Sequence, residues 1–363
     1  MNTVRFGVWA PVYGAWGSFQ NPADPPDASY RRSRDLVVRA ETLGFDSVLL
    51  AQHMVNPSFK DQAVLETWTA AAGIAEATWR IEIIAAIKPL LFHPGVLAKM
   101  ALGIDDISQG RFAINLVSAW FRPEMARLGI EMPEHDARYA YSAEWLQVVQ
   151  RLWSGAPLDH AGTHFGIDAL QLVPGPRRGR APTVYLGGES EPARQLAADS
   201  ADVFFINGRS LEDVRELVAD LRRRPRQGRP LRFGLSAFVI ARDTRAEALA
   251  EYAHLQALAD RDDRSAIAEG VDPKVAMFKT NAGQKRVGTN GGTLAGLVGS
   301  HDEVAARIDA FAEAGIELFM LQFQPLEAEL ERFATEVAPR VKRRDSGLLK
   351  ALAGHPLPSP VLS

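Results

Sequence analysis

Asn115 lies in the apolar run FAINLV, which is followed by SAWFRPEM, bringing Trp120, Arg122 and Glu124 close behind it. An amide offers both a donor and an acceptor, the equipment to read a heterocycle with alternating ring N–H and C=O groups. The alternative is that it satisfies buried backbone groups, just as Trp120 could simply pack. Further on, PEHDARYAYSAEW crowds His135, Asp136, Arg138, Tyr139 and Tyr141 at the start of a helix. Asp136 reads as its N-cap, and Arg138 and Tyr139, one turn in, either face a phosphate or lie on the surface. Adjacent helical residues diverge and no third ligand is near, so His135 and Asp136 predict no metal centre. In YLGGESEPARQLA, Gly188 and Ser190 lie between a strand end and a helix. Bare backbone, helix N–H groups and a hydroxyl suit a phosphate, although Ser190 also reads as a plain N-cap. The segment is neither a P-loop nor a GxGxxG fingerprint.

His53 follows the run SVLLAQ, and Asn207 ends VFFIN. Lys279, Lys285 and Arg286 lie in a polar stretch, where they either meet an anion or are solvated. No Ser-His-Asp order, HExxH motif or carboxylate pair emerges, so hydrolysis has no visible machinery. The apparatus is one of binding and positioning, which points to a cofactor that carries the chemistry.

Such residues need a scaffold that gathers strand ends. Apolar runs predict strands at Val4–Trp9, Ser47–Ala51, Ile81–Ile87, Phe112–Val117, Thr183–Gly187, Val203–Asn207, Arg232–Ala241 and Leu318–Phe323. Helical patterns at Ser29–Leu43, Leu65–Ala77, Pro94–Ile107, Ala137–Trp153, Pro192–Asp199, Leu211–Arg222, Arg245–Leu258 and Asp302–Ala314 alternate with them. Near-continuous apolar strands alternating with amphipathic helices predict an α/β fold, a TIM (β/α)8 barrel with insertions in the βα loops. Residues 1–344 form this one domain and 345–363 a tail. Asn115, His53, Gly188 and Asn207 then share the C-terminal face, where barrel enzymes keep their sites. Three excursions interrupt the alternation: 12–27, 155–182 with a small hairpin, and 260–296, read as a mobile lid or a disordered surface loop.

Composition narrows the partners. With 41 basic and 44 acidic residues, a net charge of -3 and 47% hydrophobic residues, the chain resembles neither a disordered nor a polybasic nucleic-acid-binding protein. Zero cysteines exclude a disulfide framework, a thiolate metal site and a cysteine nucleophile, and they fit a reducing compartment. The N-terminus MNTVRFGVWAP carries no leader pattern, and no long apolar stretch predicts a membrane span, so the expectation is cytoplasmic.

The segment DDISQGRFAINLVSAWFRPEMARLGIEMPEHDARYAYSAEWLQVVQRLW resembles the bacterial-luciferase-like flavin monooxygenases. So do VYLGGESEPARQLAADSADVFFING, RFGLSAFVIARDT and LVGSHDEVAARIDAFAEAGIELFMLQF, and the likeness runs from about Arg5 to Val341. These are two-component TIM-barrel enzymes that use reduced FMN and O2. Within them the chain is similar to dimethylsulfone and alkanesulfonate monooxygenases and to the pyrimidine oxygenase of uracil breakdown. The resemblance implies FMN contacts for Asn115 and, flanking the ring, Leu50 and Ala51. It also implies Glu124 near the binding loop, Arg138 and Tyr139 on the phosphate side, and Gly188 and Ser190 at the phosphate. His53, Asn115, Trp120 and Asn207 are the candidate catalytic residues; Trp9, Phe205, Phe238, Lys285 and Arg286 are candidates for the substrate pocket or lid.

Where alkanesulfonate enzymes carry an arginine and a histidine, this chain has Ser236 and Phe238, and their cysteine after the second strand is missing. That loss of charge-assisted donors favours a neutral sulfone, unless Lys285 or Arg286 replaces the cation. The implied reaction is C–S cleavage of a small organosulfur compound, with reduced FMN delivered by a separate NAD(P)H-dependent flavin reductase and a homodimeric or homotetrameric enzyme. Oxidation of a nitrogen heterocycle, a deazaflavin-dependent oxidoreductase and a non-enzymatic flavin-binding barrel are the alternatives.

Overall fold

The computed structural model describes residues 3–59, 61–262 and 286–342. Twelve strands are labelled in chain order among them. The barrel takes β1 (Arg5–Trp9), β2 (Ser47–Leu50), β3 (Glu82–Ile87), β4 (Phe112–Leu116), β7 (Thr183–Gly187), β8 (Val203–Ile206), β9 (Arg232–Phe238) and β12 (Ile316–Gln322). All eight pair in parallel and close in the order β1-β12-β9-β8-β7-β4-β3-β2. Helices cover the outside, so the strands are buried on both faces, which is why their sequences are near-continuous apolar runs. The expected strands match within a residue or two except the seventh. Arg232–Ala241 divides at Val239, whose N–H bonds to the Gln322 carbonyl of the barrel at 3.0 Å, whereas the Ile240 N–H turns to Leu297 at 2.9 Å. Beyond the split, β10 (Ile240–Arg242) pairs with β11 (Val298–Ser300) outside the barrel.

The excursion at 155–182 holds the expected hairpin, β5 (Leu158–Ala161) against β6 (Gly166–Leu170). Ser300 and Glu303 form the capping box that starts the helix His301–Ala314, and Gly315 at φ 111° ends it. Two further helices, Arg122–Arg127 and Leu326–Arg332, had no counterpart in the sequence reading. The helix His135–Trp153 begins before the expected residue. Asp136 therefore sits inside its first turn, bonded to His135 Nδ1 at 2.7 Å, and is not the N-cap.

The barrel's N-terminal end is braced by polar groups. Arg5 pairs with Glu82 at 3.1 Å, and the buried Tyr185 hydroxyl donates to the same carboxylate at 2.8 Å. No helix of the described residues is long and apolar enough to cross a membrane, and they hold no cluster of metal-ligating side chains. Of the excursion 260–296, read as a lid or a surface loop, residues 263–285 lie outside the described residues, as does the tail after 342, and 292–295 form a short 3-10 turn.

Candidate active site

A cavity opens at the C-terminal ends of the barrel strands. Its wall near β1 is aromatic: Trp9, Tyr13 and Trp16 pack edge to face, and the Trp16 indole N–H donates to the Trp9 carbonyl at 3.1 Å. Ala51, Gln52 and His53 follow from β2, and Lys88 from β3. Asn115 comes from β4, Trp120 from the loop beyond it, and Phe205 and Asn207 from the end of β8. The β7 loop contributes Gly187, Gly188, Glu189 and Ser190; His135, Arg138 and Tyr139 face them from the helix His135–Trp153. Parallel strands put all these termini at one face, so residues far apart in sequence meet there.

On the cavity-lining residues, Trp9 Nε1, Gln52 Nε2, Asn115 Oδ1 and Ser190 Oγ are buried polar atoms without hydrogen-bond partners. Asn115 is 4% exposed, and its Oδ1 makes no hydrogen bond. A Cβ built on Gly187 would lie 3.8 Å from that oxygen, so the two strand ends are neighbours across the cavity wall. Ser190 occupies the N-cap position of the helix Glu191–Ser200, yet its hydroxyl caps nothing and is buried without a hydrogen bond. Gly188 adopts φ +153°, and a Cβ there would come within 2.8 Å of Ala193 Cβ and 3.0 Å of the Tyr139 hydroxyl. An unpaired buried polar group costs about 1–3 kcal/mol, so a ligand with a ring N–H at Asn115 and anionic oxygens at Ser190 would relieve both. Reduced FMN has both kinds of group, and the residues present fit it.

The other site candidates divide clearly. Arg138 is buried, with its guanidinium donating to the Ser118 carbonyl at 3.2 Å and the Pro133 carbonyl at 2.8 Å. Burial pushes the Tyr139 phenol above its ordinary pKa, so it stays protonated and able to donate. Asn207 donates to Glu189 Oε1 at 2.9 Å, and Arg209 pairs with the same carboxylate. Arg286 lines the cavity beside Gly288 and Thr289. Leu50 and Phe238 are fully buried and off the cavity wall; the alternation of β2 turns Leu49 to the cavity instead. Lys279 and Lys285 lie outside the described residues.

Glu124 is also off the wall, and the structure gives it other work. It sits behind His53, accepting from the Met54 backbone N–H at 2.5 Å and lying 3.0 Å from His53 Nδ1. Lys88 completes the group, bonded to Glu124 and 2.8 Å from the same imidazole nitrogen. All three are buried, and the ring of His53 packs against Tyr13, Trp120 and Phe121. Burial and the charge of Lys88 push the imidazole down to about 4, so it is neutral at pH 7. Burial alone would raise Glu124, but the Lys88 ammonium and the His53 ring beside it hold it well below the usual carboxylate range. The sequence reading missed Lys88; its one signal is a lysine ending the apolar run IEIIAAI.

Comparison with known proteins identifies the family. The family model for luciferase-like monooxygenases matches residues 4–318. The chain is 30% identical over 351 residues to an FMNH2-dependent dimethylsulfone monooxygenase of Pseudomonas fluorescens (strain Pf0-1), covering 94% of this chain and 96% of that one. It is also 30% identical to an enzyme of the same name from Pseudomonas putida, over 96% of this chain and 98% of the relative. Among solved structures, DmoA from Hyphomicrobium sulfonivorans superposes with a TM-score of 0.75 at 18% identity, over 94% of this chain and 88% of that one. A long-chain alkane monooxygenase gives 0.76 at 19% identity, over 94% and 92%. The chain belongs to the luciferase-like monooxygenase family.

Proposed function

We propose that this protein is a reduced-FMN- and O2-dependent monooxygenase that cleaves a C–S bond in a small neutral organosulfur compound, of which dimethylsulfone is the type. The observation that carries the flavin assignment is the pair of unpartnered buried atoms, Asn115 Oδ1 and Ser190 Oγ, on one cavity wall. Asn115 and Ala51 would hold the ring; Arg138, Tyr139, Gly188 and Ser190 would hold the phosphate. Bound reduced FMN would supply the electrons that activate O2. The chain's own part is to orient and to keep water out, which Trp9, Tyr13, Trp16, Trp120 and Phe205 support by their apolar surface.

Support for a neutral substrate comes from the dimethylsulfone monooxygenases among the relatives and from two positions that lack a cation. Lys88 is committed to Glu124, and Ser236 and Phe238 are buried residues that offer no cation to a sulfonate. Arg286 is a cationic side chain on the wall that would polarise one oxygen of a bound sulfone and would equally pair with a sulfonate, which makes methanesulfonate the competing substrate to test. The reading includes a separate NAD(P)H-dependent reductase as flavin donor, a cytoplasmic setting and a homo-oligomer. The test is anaerobic binding of reduced FMN followed by mixing with air, with dimethylsulfone, methanesulfonate and uracil in parallel. Product formed from dimethylsulfone and from neither other compound supports the reading. Turnover of methanesulfonate or uracil would replace the substrate, and binding of a reduced deazaflavin in preference to reduced FMN would overturn the cofactor.

A further inference from the structure

His53 Nδ1 has two neighbours that ask opposite things of it. Glu124 Oε1, 3.0 Å away, can only accept a proton, and the Lys88 ammonium, 2.8 Å away, can only donate one. One nitrogen cannot satisfy both. Glu124 Oε1 already accepts from the Met54 N–H, and Oε2 from Lys88, so each carboxylate oxygen has a donor without the imidazole. The lysine is not: buried beside the ring at 2% exposure, it needs acceptors for its remaining protons. Its backbone is fixed as well, because the Lys88 N–H donates to Gln52 Oε1 at 2.8 Å.

We propose that Lys88 is a positioning residue that sets the tautomer of His53: as an ammonium bridging Glu124 and Nδ1, it makes Nδ1 the acceptor and leaves Nε2–H as the donor presented to the cavity. His53 thereby offers a hydrogen bond to an oxygen atom at the reacting centre without carrying a charge. Were Lys88 absent, Nδ1–H would turn to Glu124 and Nε2 would face the cavity as a bare acceptor. Burial draws Lys88 down to about 8 against the opposing pull of Glu124, which leaves it charged at pH 7. The other titratable groups nearby do not compete for Nδ1. Tyr13 meets the ring edge to face, Glu189 is held by Arg209, and Arg138 donates to backbone carbonyls.

The tautomer can be read without turnover, by two-bond 1H–15N correlation on the full chain labelled at histidine. The chain has eight histidines, and the His53 signals are those lost in His53→Gln. At pH 7 the wild type should show the Nε2–H form, Lys88→Met the Nδ1–H form, and Lys88→Arg, which keeps the charge and donors, the Nε2–H form again. An Nδ1–H ring in the wild type, or an unchanged ring in Lys88→Met, would overturn the assignment.

The catalytic part of the inference rests on the function proposed above. It expects Lys88→Met to lower kcat by about 100-fold, the scale of one misplaced proton donor, with substrate KM within about twofold and recovery in Lys88→Arg. A tautomer that switches while kcat holds would refute the link to chemistry. Absence of turnover in the wild type would instead sink the function, while the spectra still decide the role of Lys88.

Discussion

Replacing Asn115 by alanine separates a residue that binds from one that supports the fold. In the free protein Asn115 Oδ1 is buried and bonded to nothing, so its removal forfeits no hydrogen bond from that oxygen and relieves a desolvated acceptor. Because the side chain borders a cavity, truncation enlarges an existing space and makes no closed void in the core. Thermal stability should therefore hold within about 2 °C, or rise. Binding should suffer, since a ring N–H of the flavin would lose its acceptor on burial, at about 1–3 kcal/mol. At 1.4 kcal/mol per decade this weakens reduced-FMN affinity by roughly 5- to 150-fold. Anaerobic titration monitored by flavin absorbance measures the affinity, and circular dichroism the melt. Unchanged affinity would refute the assignment; a melt lowered by more than about 5 °C would show that the amide supports the barrel instead.

Ser190→Ala should weaken FMN about tenfold and leave riboflavin, which has no phosphate, unaffected; equal losses in parallel titrations would remove Ser190 from the phosphate. Gly188→Ala meets a backbone at φ +153° and the Ala193 contact, so it should cost about 1–3 kcal/mol in urea unfolding as well as FMN affinity. Acid should act through His53. Its folded pKa of about 4 lies below the ordinary 6.5, so the unfolded chain binds the proton first and stability falls as pH drops from 6.5 to 4, by about 3 kcal/mol. Urea midpoints across that range should show the loss, and a flat profile would mean the imidazole is not buried neutral.

The barrel was legible because strands covered on both faces must be apolar throughout, and glycines such as Gly44, Gly110 and Gly315 punctuate the helices that separate them. The split at Val239 was not, since two successive N–H groups choose different partners and nothing in VIAR shows it. The short helix Arg122–Arg127 was hidden by a mixed polar pattern, although Pro123 in its first turn is a usable signal. Within the site, Asn115, Gly188 and Ser190 were found because a barrel dictates where strand ends lie. The role of Glu124 was not, because its partners His53 and Lys88 are 71 and 36 residues away and the three meet only through folding. A lysine after a strand ordinarily reads as a side chain reaching solvent, and Lys88 instead ends against a carboxylate.

The brace of Arg5, Glu82 and Tyr185 at the opposite end of the barrel bears on traffic. Among the described residues, those groups cross-link the strands at the end of the barrel opposite the cavity, so the vessel has a floor there. With a flavin ring at the depth of Asn115 and its phosphate at the rim by Ser190, whatever reacts with the ring must come in by the mouth at the other end. On the proposed function, steric priority would become kinetic order: the flavin would enter first, the smaller partner would follow over it, and product would depart before the spent flavin. Inhibition by oxidised FMN that is competitive with reduced FMN, with no such competition from the organic product, is the pattern such a blind-ended vessel would impose.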